Sequence, residues 1–463
     1  MMLCIPSFAE NADNASAEKE TKKEKKTVKY NEDGEIIKTG LNFGPLPVVA
    51  YDADRGFQYG ALLNIYDFGD GSTYPNPKSW WYIEASAYTG GTWNLYLNYD
   101  NMEIWDNTRL SICTNYNNES ALDFYGFNGY QSIYTYAEPD FFKNNPNEFT
   151  FYKEGAKAEK KFDNCNGKAP NGFYRYSRQS FRAKADLTGK IAKNFFWEAG
   201  YTFYWINHKE FNPTGYKPTD GSLYGLYKDW GILNDTGENQ IVSAIKAGLM
   251  YDSRNVQNNP TKGIWAEVHA IVAPRWLGSS MDSYKISATF RQYVPIVKDK
   301  LTFAYRLAYQ GFLGKNTPWY LMPFYSNMGY TRDYDAIGGY RTTRGLMLDR
   351  VQGLHTGFYN IEFRYKFVNF QLLNQNIAFA LSAFTDGAHV FKGYDLTNRT
   401  KVKEDLYRKY IDINRKKDGL HASAGAGLRF IMNQNFIVAF EYARCFNRQD
   451  GKGAFYINTG FLF

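Results

Sequence analysis

Two of the five histidines stand two residues from a possible chemical partner: His269 follows Glu267, and His421 precedes Ser423. Imidazole beside a carboxylate or a hydroxyl is the raw material of general acid–base and nucleophilic catalysis. Catalysis also needs a third group to orient the base, and neither histidine sits in a recognisable arrangement of that kind. Both lie in alternating segments that put each on one face with its neighbour, where polar side chains fill an interior. The stretch "DFGDGSTYP", residues 67–75, is rich in oxygen ligands but lacks the spacing of a calcium loop, and reads as a turn. Beyond Cys4, the cysteines at 113, 165 and 445 show no metal-ligand spacing and leave an odd number. The expectation is a chain with no catalytic residue, no metal and no cofactor, and not an enzyme.

The other concentration of chemistry is cationic. In "GGYRTTRGLMLDRVQG", residues 338–353, Arg341, Arg344 and Arg350 stand among glycines with no period at all. The segment lies inside roughly forty residues that read as one long loop. Glycine lets a backbone turn tightly and approach a wall closely. A guanidinium taken out of water needs a carboxylate, which it can grip through two parallel hydrogen bonds. What the loop does depends on the elements around it.

Those elements have period two. In "NIEFRYKFV", Ile361, Phe363, Tyr365 and Phe367 face one way, and Asn360, Glu362, Arg364 and Lys366 the other. "SFRAKADLTGKI" likewise sets Phe181, Ala183, Ala185 and Leu187 against Arg182, Lys184, Asp186 and Thr188. These runs last nine to twelve residues, the length a tilted strand needs to cross a bilayer. One face is aromatic and the other charged, as in a barrel with lipid outside and a polar lumen. About fifteen or sixteen such runs follow one another, from residues 46–53 to 453–463. Long and short links tend to alternate from the fifth run on, as in outer-membrane barrels with tight periplasmic turns and large outer loops. The predicted fold is all-β: an antiparallel transmembrane β-barrel of about sixteen strands, with both termini periplasmic. In hydrocarbon every backbone group needs a partner, so the sheet must close. The last run, "FYINTGFLF", ends on Phe463 and reads as the closing strand, with Gly460 leaving a gap on its inner face.

Composition agrees. The 463 residues are 18% aromatic, yet mean hydropathy is -0.52. No stretch is apolar for eighteen residues, which excludes a membrane helix but not a barrel. A net charge of +7 over this length gives no reason to expect a nucleic-acid partner. Residues 1–9 end in Ser-Phe-Ala and read as a signal-peptide remnant. Residues 10–43 are charged and nearly free of large apolar side chains, a periplasmic tether. The barrel is expected over 44–463.

Four stretches resemble the BamA/TamA superfamily of outer-membrane assembly barrels, the bacterial surface antigen family. "LMYDSRNVQNNPTKGIWAEV" is similar to that family's Asp-x-Arg periplasmic turn with Pro-x-x-Gly, here Asp252, Arg254, Pro260 and Gly263. "GGYRTTRGLMLDR" resembles the tip of its sixth outer loop, "AFTDGAHVF" its Phe-x-Asp-x-Gly strand, and "HASAGAGLRF" its Ser-x-Gly-x-Gly strand. The resemblance implies sixteen strands and a sixth loop folded into the lumen, its Arg344 paired with Asp386 and its path set by Gly338, Gly339 and Gly345. Thr343, Leu346 and Asp386-Gly387-Ala388 depart from the family pattern. About forty residues precede the barrel, too few for the family's periplasmic POTRA domains, so a short member is expected. It further implies a Gram-negative outer-membrane protein that assists insertion or translocation of outer-membrane components. Its partners would be lipid and nascent outer-membrane proteins or a periplasmic accessory protein. The alternative is a passive pore or structural surface protein; Arg182, Lys184, Lys246, Arg291, Arg306, Arg364 and Arg429 outnumber the lumenal Glu198, Glu267, Glu362 and Glu441, so a pore would prefer anions.

Overall fold

A computed structural model describes residues 30, 36–52, 56–135, 151–153, 173–211, 216–218, 222–233, 237–257, 259–314, 317–329, 332–433, 436–459 and 462–463. Two units are distinguished, residues 1–37 and residues 38–463. In the first, Tyr30 and Ile36 form an antiparallel bridge. The second is a closed antiparallel barrel of sixteen strands. In chain order these are β1 (Leu41–Asp52), β2 (Gly56–Asp67), β3 (Ser79–Tyr88), β4 (Trp93–Trp105), β5 (Thr108–Asp123), β6 (Arg175–Ala192), β7 (Phe195–Glu210) and β8 (Asn239–Asp252). They continue as β9 (Gly263–Ala273), β10 (Ser283–Val297), β11 (Leu301–Leu313), β12 (His355–Leu372), β13 (Gln375–Lys392), β14 (His421–Met432), β15 (Phe436–Cys445) and β16 (Ala454–Thr459). A separate two-stranded ladder joins residues 151–153 to 216–218.

The barrel is turned inside out relative to a soluble core. Trp81, Leu97, Leu249, Leu307, Phe363 and Leu381 are exposed on the outer wall, while Arg306, Glu362, Asp386 and Ser423 are fully buried inside. That arrangement suits a lipid exterior. Strand period determines which residues face which way; lateral register determines which of them meet.

Four elements differ from the sequence expectation. β1 begins at Leu41, taking in three residues assigned to the tether, with Leu41 opposite Asp67 and Phe43 opposite Ile65. Gly44 and Pro45 interrupt the pattern after Leu41 and Phe43, and the ladder with β2 carries the strand through them. The hairpin β12–β13 is longer than its alternating runs because the register shifts between Lys366 and Val368. Such a bulge resets the period, and the turn at Leu373 and Asn374 has positive φ at both residues, as a tight hairpin requires. The last strand ends at Thr459, not at the terminal residue. Phe463 instead turns inward, packing against Tyr293 and Ala304. Arg364 donates to its carbonyl at 2.9 Å, and Arg306 and Arg364 lie over its ring. Two lumenal cations near an aromatic face compete successfully with the strand path. Gly460 lies outside the described residues.

The end of the barrel that carries the long loops is capped by an aromatic core. Phe124, Phe127, Tyr176, Tyr227, Trp230 and Trp319 are all buried there, with edge-to-face pairs such as Phe124–Tyr227 at 5.1 Å. Two short helices join this cap, α1 (Leu223–Asp229), whose N-cap Ser222 accepts from the Gly225 amide, and α2 (Glu404–Tyr410). Much of the aromatic excess is therefore loop core as well as lipid-facing wall.

Candidate functional site

The segment between β11 and β12 leaves the cap and enters the lumen. Its tip is a tight reversal: Gly339 donates its amide to the Leu346 carbonyl at 2.9 Å, and Gly338 donates to Thr342 Oγ1 at 3.0 Å. Gly338 has φ 123°, and a Cβ there would lie 2.0 Å from the Met347 carbonyl oxygen. Gly345 has φ 92° and comes against the wall, where a Cβ would be 3.0 Å from that of Ala443. Leu346 fills an apolar niche with Tyr325, Phe358 and Cys445.

Between these glycines Arg344 projects into a nest of carboxylates. Its Nε donates to Asp386 Oδ2 at 2.8 Å and its Nη2 to Asp386 Oδ1 at 3.0 Å, while the Arg344 amide donates to Oδ2 at 2.9 Å. Nη1 reaches Glu441 at 2.7 Å and Glu362 at 3.2 Å. The guanidinium also lies over the Phe384 ring at 3.4 Å. Arg429 bridges Glu362 and Glu441 from the other side, at 2.8 and 2.7 Å, and Arg364 reaches Glu362 at 3.2 Å. Three guanidinium groups thus face three carboxylates, contributed by β12, β13, β14, β15 and the loop. Balanced charge makes such a cluster tolerable away from water, and each member depends on the others.

The loop also touches the last strand. The Gly345 amide donates to the Tyr456 hydroxyl of β16 at 3.0 Å, and Met347 donates to the Asp450 carbonyl at 2.9 Å. Above it, Arg350 donates to the carbonyls of Gln449, Gly129 and Ser132. His421 sits between Asp450 at 2.6 Å and Asp418 at 3.1 Å, stacked on Tyr130 at 3.9 Å. With the Tyr130 hydroxyl donating to Asp450 at 2.5 Å, the group latches β14 to the neighbouring loops.

Such a loop inside such a barrel invites comparison with known proteins. The sequence matches the Omp85 superfamily domain over residues 106–463. The chain belongs to the Omp85 superfamily. Among solved structures it is similar to BamA from Haemophilus ducreyi lacking POTRA domains 1-3, at 17% identity and a TM-score of 0.51, covering 94% of this chain and 74% of that one. It is also similar to CdiB from Escherichia coli, at 10% identity and a TM-score of 0.52, covering 91% of this chain and 63% of that one. At these identities the likeness is one of fold. No curated protein matches. An Omp85 barrel is a bacterial outer-membrane barrel.

At the other end of this Omp85 barrel, the Asp252 turn joins β8 to β9. Arg254 donates to Asp252 through Nε at 2.9 Å and Nη2 at 2.6 Å, and Nη1 caps the Gln257 carbonyl at 3.1 Å. Its guanidinium stacks on Trp265, whose ring also carries Arg291 at 3.7 Å. Pro260 is buried in the same turn. Gly263 has φ 110°, and a Cβ there would lie 2.3 Å from the Ser253 carbonyl oxygen. Gly263→Ala is therefore expected to cost about 1–3 kcal/mol, read as a lowered midpoint of heat-modifiable migration. Gly278→Ala is the control: its φ is 102° but no atom lies within 4 Å of the new Cβ, so it should show the backbone term alone.

Sequence reasoning placed Glu362, Glu441, Arg364 and Arg429 in the lumen without connecting them to Arg344. The connection depends on lateral register: Asp386 stands opposite Asn360 and Ser423, so the carboxylates of neighbouring strands converge. Cys113 and Cys445 are buried; Cys4 and Cys165 lie outside the described residues. Cys445 donates to the Gly345 carbonyl at 2.8 Å.

Proposed function

We propose that this barrel assists the insertion or translocation of outer-membrane components by opening at the seam between β1 and β16. The reading is carried by one observation. Among the described residues β1 and β16 share a single register pair, Tyr51 opposite Ile457, whereas β1 and β2 share twelve. A seam held by so little can part and offer two strand edges to an incoming chain, which a fully laddered barrel forbids. Pro45 and Pro47 have the same parity in β1, so their two missing donors face the same side. Sheets tolerate proline where a strand has an unpaired edge, and β2 is laddered along all of β1; this supports an unpaired side facing β16. In this reading the short turns and both termini face the periplasm and the long loops face outward. The loop tip at Gly345, bonded to Tyr456, acts as a brace on the inner face of the moving strand. Outer-membrane lipid, and nascent outer-membrane proteins or a periplasmic accessory protein, are the partners in this reading. Depleting the gene and measuring outer-membrane protein composition tests it: selective loss of particular components is expected. Unchanged composition under conditions where depletion slows growth would remove the reading.

The pore alternative finds less support in the lumen. Lys246 is held by Asp186 at 2.7 Å, and Arg182 by Asp335 of the long loop. A cavity beside that loop, lined by Lys184, Arg332 and Asp333, measures about 20 Å³, room for about one water. The intact chain is expected to show little conductance in planar bilayers. Deleting residues 338–353 should open a large one. If the intact chain conducts as well as the deletion, the loop is not a plug.

A further inference from the structure

A second polar cluster lies in the lumen wall, toward the short-turn end, apart from the Arg344 nest. Glu198 on β7 and Glu267 and His269 on β9 bring one ligand atom each to within 4.8 Å of one another. All three are buried, at 3%, 5% and 1% exposure. Among the described residues, neither ring nitrogen of His269 has a hydrogen-bond partner, nor does either carboxylate oxygen of Glu267 or the Oε2 of Glu198. Two buried carboxylates and an imidazole are costly when left in this way.

The strand between them makes room. Gly248 on β8 stands opposite Glu198 on one side and His269 on the other. A Cβ at Gly248 would come within 2.6 Å of the His269 Cβ. Any larger side chain would fill the space into which the three ligand groups converge.

Nearby cations are committed elsewhere. Lys246 is bonded to Asp186 at 2.7 Å, and Lys184 donates to the Asn327 carbonyl at 3.0 Å with Asp186 and Asp333 beyond. Arg291 is stacked on Trp265. Neither Lys246 nor Arg291 forms an ion pair with Glu198 or Glu267 among the described residues.

We propose that Glu198, Glu267 and His269 bind a divalent transition-metal ion, of the zinc or manganese kind. Two carboxylate oxygens and one imidazole nitrogen suit these ions. Calcium and magnesium take all-oxygen shells instead. The bound cation offsets the two carboxylate charges and ties β7 to β9 across β8, a staple in the wall beneath the loop plug. Sequence spacing pointed to no metal because only Glu267 and His269 are neighbours along the chain, and Glu198 joins them through register.

The test uses the full chain folded in detergent with zinc or manganese present, then desalted and assayed for metal by mass spectrometry. About one ion per chain is expected, together with a higher midpoint of heat-modifiable migration than in chain folded with chelator. Glu267→Gln and His269→Gln, each checked for folding by its gel shift, should lose the metal. Where a variant fails to fold, cobalt replaces zinc in the native chain. A visible absorption band from nitrogen–oxygen coordination supports the site, and its absence counts against it. A folded native chain that retains neither ion, or folded variants that retain as much as the native chain, would overturn the proposal.

Discussion

Arg344→Ala is expected to do more damage than any other single substitution in the lumen. It removes the shared donor of Asp386, Glu362 and Glu441, leaving three buried carboxylates with two guanidinium groups. Breaking a buried pair by removing one partner costs about 3–5 kcal/mol. Asp386→Ala should cost less than Arg344→Ala, because Arg344 then keeps Glu362 and Glu441. Asp386→Asn separates charge from shape, since it preserves size while giving up one acceptor and the net charge. The readouts are the midpoint of heat-modifiable migration and protease cleavage near Gly345, which should rise as the tip loosens. The double variant Arg344→Ala with Asp386→Ala should be milder than the sum of the singles, because it leaves two carboxylates facing two guanidinium groups, whereas each single leaves the cluster's charges unequal. Simple additivity would mean that the bidentate contact contributes nothing of its own.

Why the strand pattern was readable in the sequence while this nest was not follows from what each depends on. Phe363 outside and Glu362 inside is a local fact: adjacent side chains on a strand point to opposite faces, and hydrocarbon sorts them. The runs could be placed that way because the constraint acts on each separately. The meeting of Glu362, Asp386 and Glu441 around one guanidinium depends on the alignment of four strands, which no run encodes alone. Arg344 and Asp386 were named as partners only through a resemblance. Glu198 and His269 are a similar case, brought together by a glycine on the strand between them. The bulge at Lys366 to Val368 hid the length of β12, since period-two reading stops where the period slips. Phe463 was read as a strand residue because alternation continues to the end of the chain. Its inward turn is decided by Arg306 and Arg364 on distant strands.

Locking the seam should abolish function in the reading proposed for this barrel. Among the described residues Tyr51 and Ile457 are the register pair that joins β1 to β16, so cysteines at these two positions face each other across the gap. Directly opposed residues in an antiparallel pair stand about 4.5–5.5 Å apart, within the range a disulfide spans. The lock belongs in a chain whose own cysteines have been replaced, because any further thiol would exchange with the engineered disulfide. Oxidation should leave the fold and bilayer conductance unchanged, since neither the lumen nor the Arg344 nest is touched. Gene-deletion phenotypes, in growth and in outer-membrane composition, should reappear on oxidation and vanish on reduction. Cysteines at Val49 and Tyr59, a pair within the fully laddered β1–β2 hairpin, form the control and should be harmless in either state. A pore or a structural surface protein would tolerate both locks equally. If the 51–457 lock has no effect where gene deletion does, the seam is not the working part and the insertion reading fails.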